Sequence, residues 1–404
     1  MTAGGFDQIH DELRAVARDI LGKAGTPARP GWRLLAEAGW LGLEVPGTLD
    51  GAEATFAETA VILTELGRAA ACGPYPGAVL GVGALRQLAP SPGRDELLRR
   101  AASGEAVPVA VLADGSRDDV PGAAGPARET AGGEPTAESA GSEPTAESAG
   151  GEPAAESGAP FRVERTAGGP RLYGRAAFVP DAAEASHLLL LATDPDNSKR
   201  LAMVGVEPGT PGLRVEAQPV LDATRRLALV TADGAEVPET SVHRFAGDSE
   251  AAVQGLLDRA AVAVACDSLG VSEAMLDATV AYVKVREQFG HPVGSFQAVQ
   301  HACADMLVRV SVARELVEAA VLAVAVAPGH PETAVAASMA KAYTCAAAVD
   351  IAGKAMQLHG GIGYTWEGGI HAYLKRAALN RSLSGSPSAH RRRLAARYLS
   401  LIHI

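Results

Sequence analysis

The chain has 404 residues, 47% of them hydrophobic and 21% charged, and a formal net charge of −11. That length suffices for two or three domains with a substantial core, and the acidic balance argues against a nucleic-acid partner held by bulk electrostatics. The four cysteines, Cys72, Cys266, Cys303 and Cys345, form no CxxC pair, so neither a zinc ribbon nor a redox dithiol is expected, no metal site is expected, and a reducing cytoplasm fits. No apolar run approaches the ~20 residues of a membrane helix. The opening stretch MTAGGFDQIHDELRAV has early acids and no apolar segment, and so does not read as a signal peptide.

Residues 1–105 read as a helical domain. In GWRLLAEAGWLGLEVP, residues Trp32, Leu35, Ala36, Ala38 and Trp40 fall near helical spacing, predicting a helix that stops at Pro46. FAETAVILTELGRAAA repeats the pattern with Ala60, Ile62, Leu63 and Leu66 on one face, closed by Gly73-Pro74. The character then changes. AVPVAVLAD alternates and is β-branched, FRVERTAGGPRLYGRAAFV reads as strand, Gly-Gly turn, strand, and HLLLLAT, LAMVGVE and RLALVTAD are further short strands. These predict a β domain over 106–246. From 247 to 404 the pattern is helical again, in long Ala/Leu/Val-rich stretches to Arg286, from Phe296 to Ala325 and from Pro331 to His359. Long consecutive helices with short connections predict an antiparallel bundle. The fold class is therefore mainly α with a middle β domain (α+β).

Inside the β domain lies an insertion at about 117–159. GEPTAESAG, SEPTAESAG and GEPAAESGA follow one another from Gly133 at a period of nine, without an aromatic or branched aliphatic residue. Such a segment cannot bury enough apolar surface to offset the entropy of ordering, and reads as a disordered loop. It lacks the Gly-Gly-x-Gly-x-Asp pattern of a calcium-binding β-roll. Residues 129–157 hold seven Glu and no Lys, Arg or Asp, so the rest of the chain carries only −4.

Two longer motifs go beyond fold class. One is Arg286-Glu287-Gln288-Phe289-Gly290-His291-Pro292-Val293-Gly294-Ser295-Phe296-Gln297, continuing to Ala304-Asp305-Met306; the other is Gln357-Leu358-His359-Gly360-Gly361-Ile362-Gly363-Tyr364, followed by Arg376. Together with GWLGLEVP and ELGRA near the N-terminus, they resemble the acyl-CoA dehydrogenase family of flavoproteins over nearly the whole chain except about 115–160. The resemblance implies an N-terminal helical domain, a small β-barrel or sandwich and a C-terminal four-helix bundle, assembled as an oligomer. It implies FAD as cofactor, an acyl-CoA thioester as substrate, and an electron-transfer flavoprotein as acceptor. By the same resemblance Arg286 pairs with the FAD pyrophosphate across a subunit interface. Gln288, Phe296 and Gln297 line the adenosine end, with Glu287 beside them. Gln357, Leu358, His359, Gly360 and Gly361 form the loop that receives the pyrophosphate of the adjacent subunit's FAD, and Asp258 stands near the CoA end. A guanidinium suits a phosphate because its charge is permanent and planar, and bare glycine backbone permits close approach. His359 and His371 read as structural.

The family's reaction removes the α-proton of the thioester with a carboxylate, usually Glu, at one of two positions. Counting from the motifs places Ser384 at one and Ala260 at the other. Both base positions are empty, and a serine hydroxyl is far too weak a base to act unaided. On an ideal helix Asp258 points about 200° from Ala260, and Glu367 reads as a turn residue. The middle domain also departs from the resemblance, with Asp114-Gly115-Ser116 and Arg175-Ala176-Ala177-Phe178 where flavin-contacting segments are expected. Three readings follow: an acyl-CoA dehydrogenase with an atypical base, a non-catalytic FAD-binding subunit paired with a Glu-bearing paralogue, or a flavin-free acyl-thioester-binding scaffold. Deletion of residues 129–157 is expected to leave the melting temperature unchanged; a large drop in thermal unfolding shows that the repeat packs.

Overall fold

The computed structural model describes residues 3–112, 159–365 and 368–402. The tandem repeat, the Asp114-Gly115-Ser116 segment and Glu367 lie outside these residues.

Five helices come first: α1 (Ala3–Lys23), α2 (Trp32–Glu37), α3 (Phe56–Arg68), α4 (Tyr75–Gln87) and α5 (Pro92–Ala102). The stretch predicted as one helix up to Pro46 is broken, because α2 ends at Glu37 and Gly39 takes a left-handed φ of 76°. Helix α3 starts at a capping box in which Thr55 and Glu58 satisfy each other's backbone N–H groups. It ends at Arg68, earlier than Gly73-Pro74 suggested. Ala70 turns left-handed at φ 45°, and the Ala71 N–H closes back onto the Leu66 carbonyl at 2.8 Å, a Schellman-type stop. That stop leaves the Ala71 carbonyl facing inward, where it is used below.

The middle of the chain is one mixed sheet built from β1 (Pro108–Val111), β2 (Phe161–Thr166), β3 (Gly169–Pro180), β4 (His187–Asp194), β5 (Asn197–Val206), β6 (Leu213–Gln218), β7 (Leu227–Glu236) and β8 (Val242–Arg244). The order is β6-β7-β3-β2-β4-β5-β8, with β1 also on β4. β1 and β2 both run parallel to β4, pairing with its first and last residues in turn. β1 and β2 therefore lie end to end along the same edge of β4. HLLLLAT has no alternation because β4 is covered on both faces. Leu188, Leu190 and Ala192 enter the interior of the sheet, while Leu189 and Leu191 pack under α4, α5 and the start of the next helix. β6 and β8 were not anticipated; β6 is largely solvent-facing and has no apolar run to mark it.

The C-terminal part comprises α6 (Ser249–Val285), a small hairpin of β9 (Glu287–Gln288) and β10 (His291–Pro292), then α7 (Gln297–Val326), α8 (Pro331–His359), α9 (Ile370–Ser382) and α10 (Pro387–Ile402). Helices α6 to α9 share one apolar core with α1 and α3. α3 and α6 cross at backbone contact. A Cβ on Gly270 would lie 1.9 Å from the Thr64 carbonyl oxygen, and one on Gly67 would lie 2.1 Å from that of Asp267. No helix among the described residues is long and apolar enough to cross a membrane.

One buried polar cluster joins all three parts. Asp267 on α6 accepts from Arg376 Nε at 2.9 Å, Arg225 Nη2 at 2.6 Å and Asn380 Nδ2 at 2.7 Å. Arg376 Nη1 reaches the Ala71 carbonyl at 2.7 Å and Thr224 Oγ1 at 3.0 Å. Burial alone would raise the Asp267 carboxyl; the guanidinium groups of Arg376 and Arg225 outweigh it and bring it down to about 2. Removing one partner of such a pair leaves an uncompensated buried charge, at a cost of about 3–5 kcal/mol. Arg376→Met is accordingly expected to lower unfolding free energy by about that amount, measured by denaturant titration.

Candidate functional site

Two cavities collect the residues that the sequence motifs single out. The first, of about 750 Å³, is walled by the end of α6, the β9–β10 hairpin and the loop after α8. It brings together Arg286, Gln288, Phe296, Gln357, Leu358, His359, Gly360 and Gly361, two motifs about 70 residues apart in the chain. The hairpin does this. Glu287–Gln288 pair back onto His291–Pro292, and the Val293 N–H bonds to the Arg286 carbonyl at 2.7 Å, which turns the chain at Phe289-Gly290. Phe289 stands 89% exposed at φ 55°, its ring edge-on to Phe296. Gln297 begins α7, is exposed and does not line this wall; nor does Glu287, which is also exposed.

Helix α8 ends at the opposite wall. Gly360 adopts φ 61°, ψ −140°, and a Cβ on either Gly360 or Gly361 would meet nothing within 4 Å. Two bare backbone positions therefore face the open cavity that Arg286 also lines, and glycine backbone open to close approach together with a guanidinium is suited to a pyrophosphate. His359 is buried, donates from Nδ1 to the Ala355 carbonyl at 2.8 Å and stacks on Tyr282 at 4.5 Å. Its ring is thus part of the wall. Tyr282 was missed in the sequence, although it precedes Arg286 by one helical turn and so shares its face.

The second cavity, of about 490 Å³, lies where the sheet meets α6 and the α9–α10 connection. Its wall is mostly apolar, from Leu80, Ala110–Leu112, Ala177–Pro180, Val220, Leu227, Leu257 and Leu379. Both Ala260 and Ser384 line it, and so does Asp258. Asp258 and Ala260 point well apart around α6 and yet both line this cavity. An angle of about 200° one way is about 160° the other, and the cavity covers that whole arc of α6, from Ala260 through Leu257 and Gln254 to Asp258. Phe178 enters the cavity from a bulge between Ala176 and Val179, at φ 56°, its N–H bonded to Gln218 Oε1 at 2.6 Å. A phenylalanine in the left-handed region costs energy, and no turn residue announced it.

The connection carrying Ser384 is held from below. Lys341, fully buried on α8, donates to the carbonyls of Asn380 at 3.1 Å and Gly385 at 2.8 Å, the carbonyl end of α9, where a cation is favoured. His390 bridges Ser338 Oγ at 3.1 Å and the Ser384 carbonyl at 2.9 Å.

Asp258 is 6% exposed. Its Oδ1 accepts from Gln254 Nε2 at 2.8 Å, and its Oδ2 is buried without a hydrogen-bond partner among the described residues. Burial raises the carboxyl to about 6, against smaller lowering effects of Gln254 and Arg393.

Comparison with known proteins identifies the family. The profile described as acyl-CoA dehydrogenase, C-terminal domain, matches residues 250–399, and that described as acyl-CoA dehydrogenase, N-terminal domain, matches 7–105. The chain belongs to the acyl-CoA dehydrogenase family. It is 35% identical over 235 residues to acyl-CoA dehydrogenase IpdE2 of Mycobacterium tuberculosis, covering 54% of this chain and 67% of that one. It is 38% identical over 181 residues to IpdE2 of Mycolicibacterium smegmatis, covering 45% and 52%. A solved variant of the Tcur3481-Tcur3483 steroid ACAD superposes with a TM-score of 0.77 at 25% identity, over 98% of this chain and 99% of that one. FAD is the cofactor of this family of oxidoreductases.

The Asp258 carboxyl also yields a stability test. Its folded value is raised above the ordinary 3.8, so the native state binds the extra proton and stability falls as pH rises from about 4 through 6. Asp258→Asn removes that dependence. The melting temperature of the variant relative to the wild type is expected to be higher at pH 7.5 than at pH 4, measured by thermal unfolding at both.

Proposed function

We propose that the chain works as an FAD-dependent acyl-CoA dehydrogenase, introducing a Cα=Cβ bond into an acyl-CoA thioester. The observation that carries this reading is the second cavity, an apolar slot between sheet and helices whose wall holds both positions, Ala260 and Ser384, where the resemblance expects the base. In this reading the acyl chain lies along the apolar wall, with water excluded by Leu80, Leu112, Phe178 and Leu257, and Asp258 is the carboxylate beside the thioester. Bound FAD supplies the acceptor for the β-hydrogen and its electron pair. Arg286 and the bare backbone of Gly360-Gly361 hold the pyrophosphate, and Gln288, Phe289 and Phe296 the adenosine end. The two cavities share no lining residue, which supports a reading in which the first cavity receives the FAD of a neighbouring chain. α7 leaves Leu307, Val308, Leu322 and Val326 exposed, an apolar face that a second chain of the family covers. The electron acceptor in this reading would be an electron-transfer flavoprotein, as the resemblance implies.

A specific observation favours a second reading. The first cavity keeps Arg286, Gln288 and Gln357 to Gly361, the residues that the resemblance assigns to FAD, while both glutamate positions hold other residues. This fits a subunit that lends its first cavity to a Glu-bearing paralogue, and the name of the structural relative joins two chain names. Anaerobic mixing of the purified chain with acyl-CoAs separates the readings. Bleaching of the oxidised flavin band supports autonomous dehydrogenation. Colourless protein that acquires flavin only when co-expressed with a paralogue supports the second reading, and protein colourless in every combination overturns both. A charge-assisted hydrogen bond contributes about 1.5–3 kcal/mol, so Arg286→Ala is expected to weaken FAD binding about 10- to 100-fold, measured by flavin fluorescence titration.

A further inference from the structure

We propose that Asp258 takes the α-proton of the thioester in the second cavity, a role that rests on the dehydrogenase reading above. Three lining side chains carry ionisable groups, Asp258, His390 and Arg393. A guanidinium stays protonated and accepts nothing. His390 donates from Nε2 to the Ser384 carbonyl, and its Nδ1 receives the Ser338 hydroxyl; neither ring nitrogen is free to accept a proton. The hydroxyls of Ser382 and Ser384 are too weak as bases. Asp258 remains, the one proton acceptor among the described lining residues with an unused lone pair.

Its geometry suits the task. Gln254 Nε2 fixes Oδ1, and Oδ2 is buried with no hydrogen-bond partner among the described residues. A buried carboxylate oxygen without a donor is costly to maintain, and the cavity against it is the place where a substrate C–H can be presented. Burial also lifts the group to about 6, near the ambient pH at which a general base works best. In the step itself the α-C–H bond breaks and its proton forms an O–H bond on Oδ2. The electron pair remains on the substrate, delocalised into the thioester carbonyl as an enolate. In heavy water the resulting carboxylic acid exchanges and returns a deuteron to the α-carbon.

Deuterium exchange at the α-carbon tests this without reading oxidation. The wild type, Asp258→Asn, Ser384→Glu and the Asp258→Asn/Ser384→Glu double variant are incubated in heavy water with butyryl-CoA, octanoyl-CoA and cyclohexylacetyl-CoA. Exchange is read by mass spectrometry, acyl-CoA affinity by titration and folding by circular dichroism. The wild type is expected to exchange, and Asp258→Asn to lose at least about 100-fold in rate with affinity within about threefold. The double variant is expected to recover exchange, because a Glu at position 384 enters the same cavity. Undiminished exchange in Asp258→Asn overturns the proposal. So does joint loss of exchange and affinity without recovery in the double variant, which marks Asp258 as a binding group. A silent wild type beside an exchanging Ser384→Glu variant overturns it while leaving the dehydrogenase reading intact. Absence of binding and exchange in every protein overturns the dehydrogenase reading itself.

Discussion

The contact between Asp267 and Arg376 governs how the three parts of the molecule meet. Burying two full charges is costly, and the cost is offset only when every donor and acceptor is used. Here the carboxylate takes four N–H donors from three residues, two of them from Arg376, and the guanidinium spends its remaining arm on the Ala71 carbonyl and the Thr224 hydroxyl. Those partners come from α6, α9, the stop of α3 and the loop between β6 and β7. The elements around the cluster are also walls of the second cavity. Leu379 and Ser382 continue α9, while Val220 and Leu227 flank the loop bearing Arg225. The cavity exists because the clasp holds sheet and helices at one separation.

A second layer of polar contacts shapes the cavity in detail. Lys341 and His390 pin the connection between α9 and α10, so Ser384 sits on a fixed wall. The bulge in β3 brings Phe178, itself 42% exposed, to the cavity wall from the other side. Glu44 and Arg259 form a further buried pair against the Val79 carbonyl, adjoining Asp258 in sequence. Two buried polar atoms in this region, Arg259 Nε and Asp258 Oδ2, have no hydrogen-bond partner among the described residues, and of the two side chains only Asp258 lines the cavity.

The two cavities divide the work by place in the chain. The first is built from residues 282–299 and 357–362, a pair of compact motifs at the ends of α6 and α8. The second draws on residues from Leu80 to Arg393. That difference explains what could be read in advance. Arg286, Gln288 and Gln357 to Gly361 are legible because glycine, arginine and a short hairpin carry their chemistry locally. Gln297 lies outside that wall, because a register inferred by resemblance does not say which face of the first turn of α7 borders the cavity.

By itself the sequence determined the α–β–α order, the three long helices, the strands with apolar or β-branched runs, and the first cavity's motifs. These depend on local periodicity and on residues whose conformational limits travel with them. Only the tertiary structure decided that α2 breaks at Gly39, that β6 pairs without an apolar signature, and that Phe178 is bulged. It also decided that Asp258 and Ala260 share one cavity. A helix shows its residues as angles around an axis, but the width of the arc it buries depends on what packs beside it, and those neighbours come from residues far away in the chain.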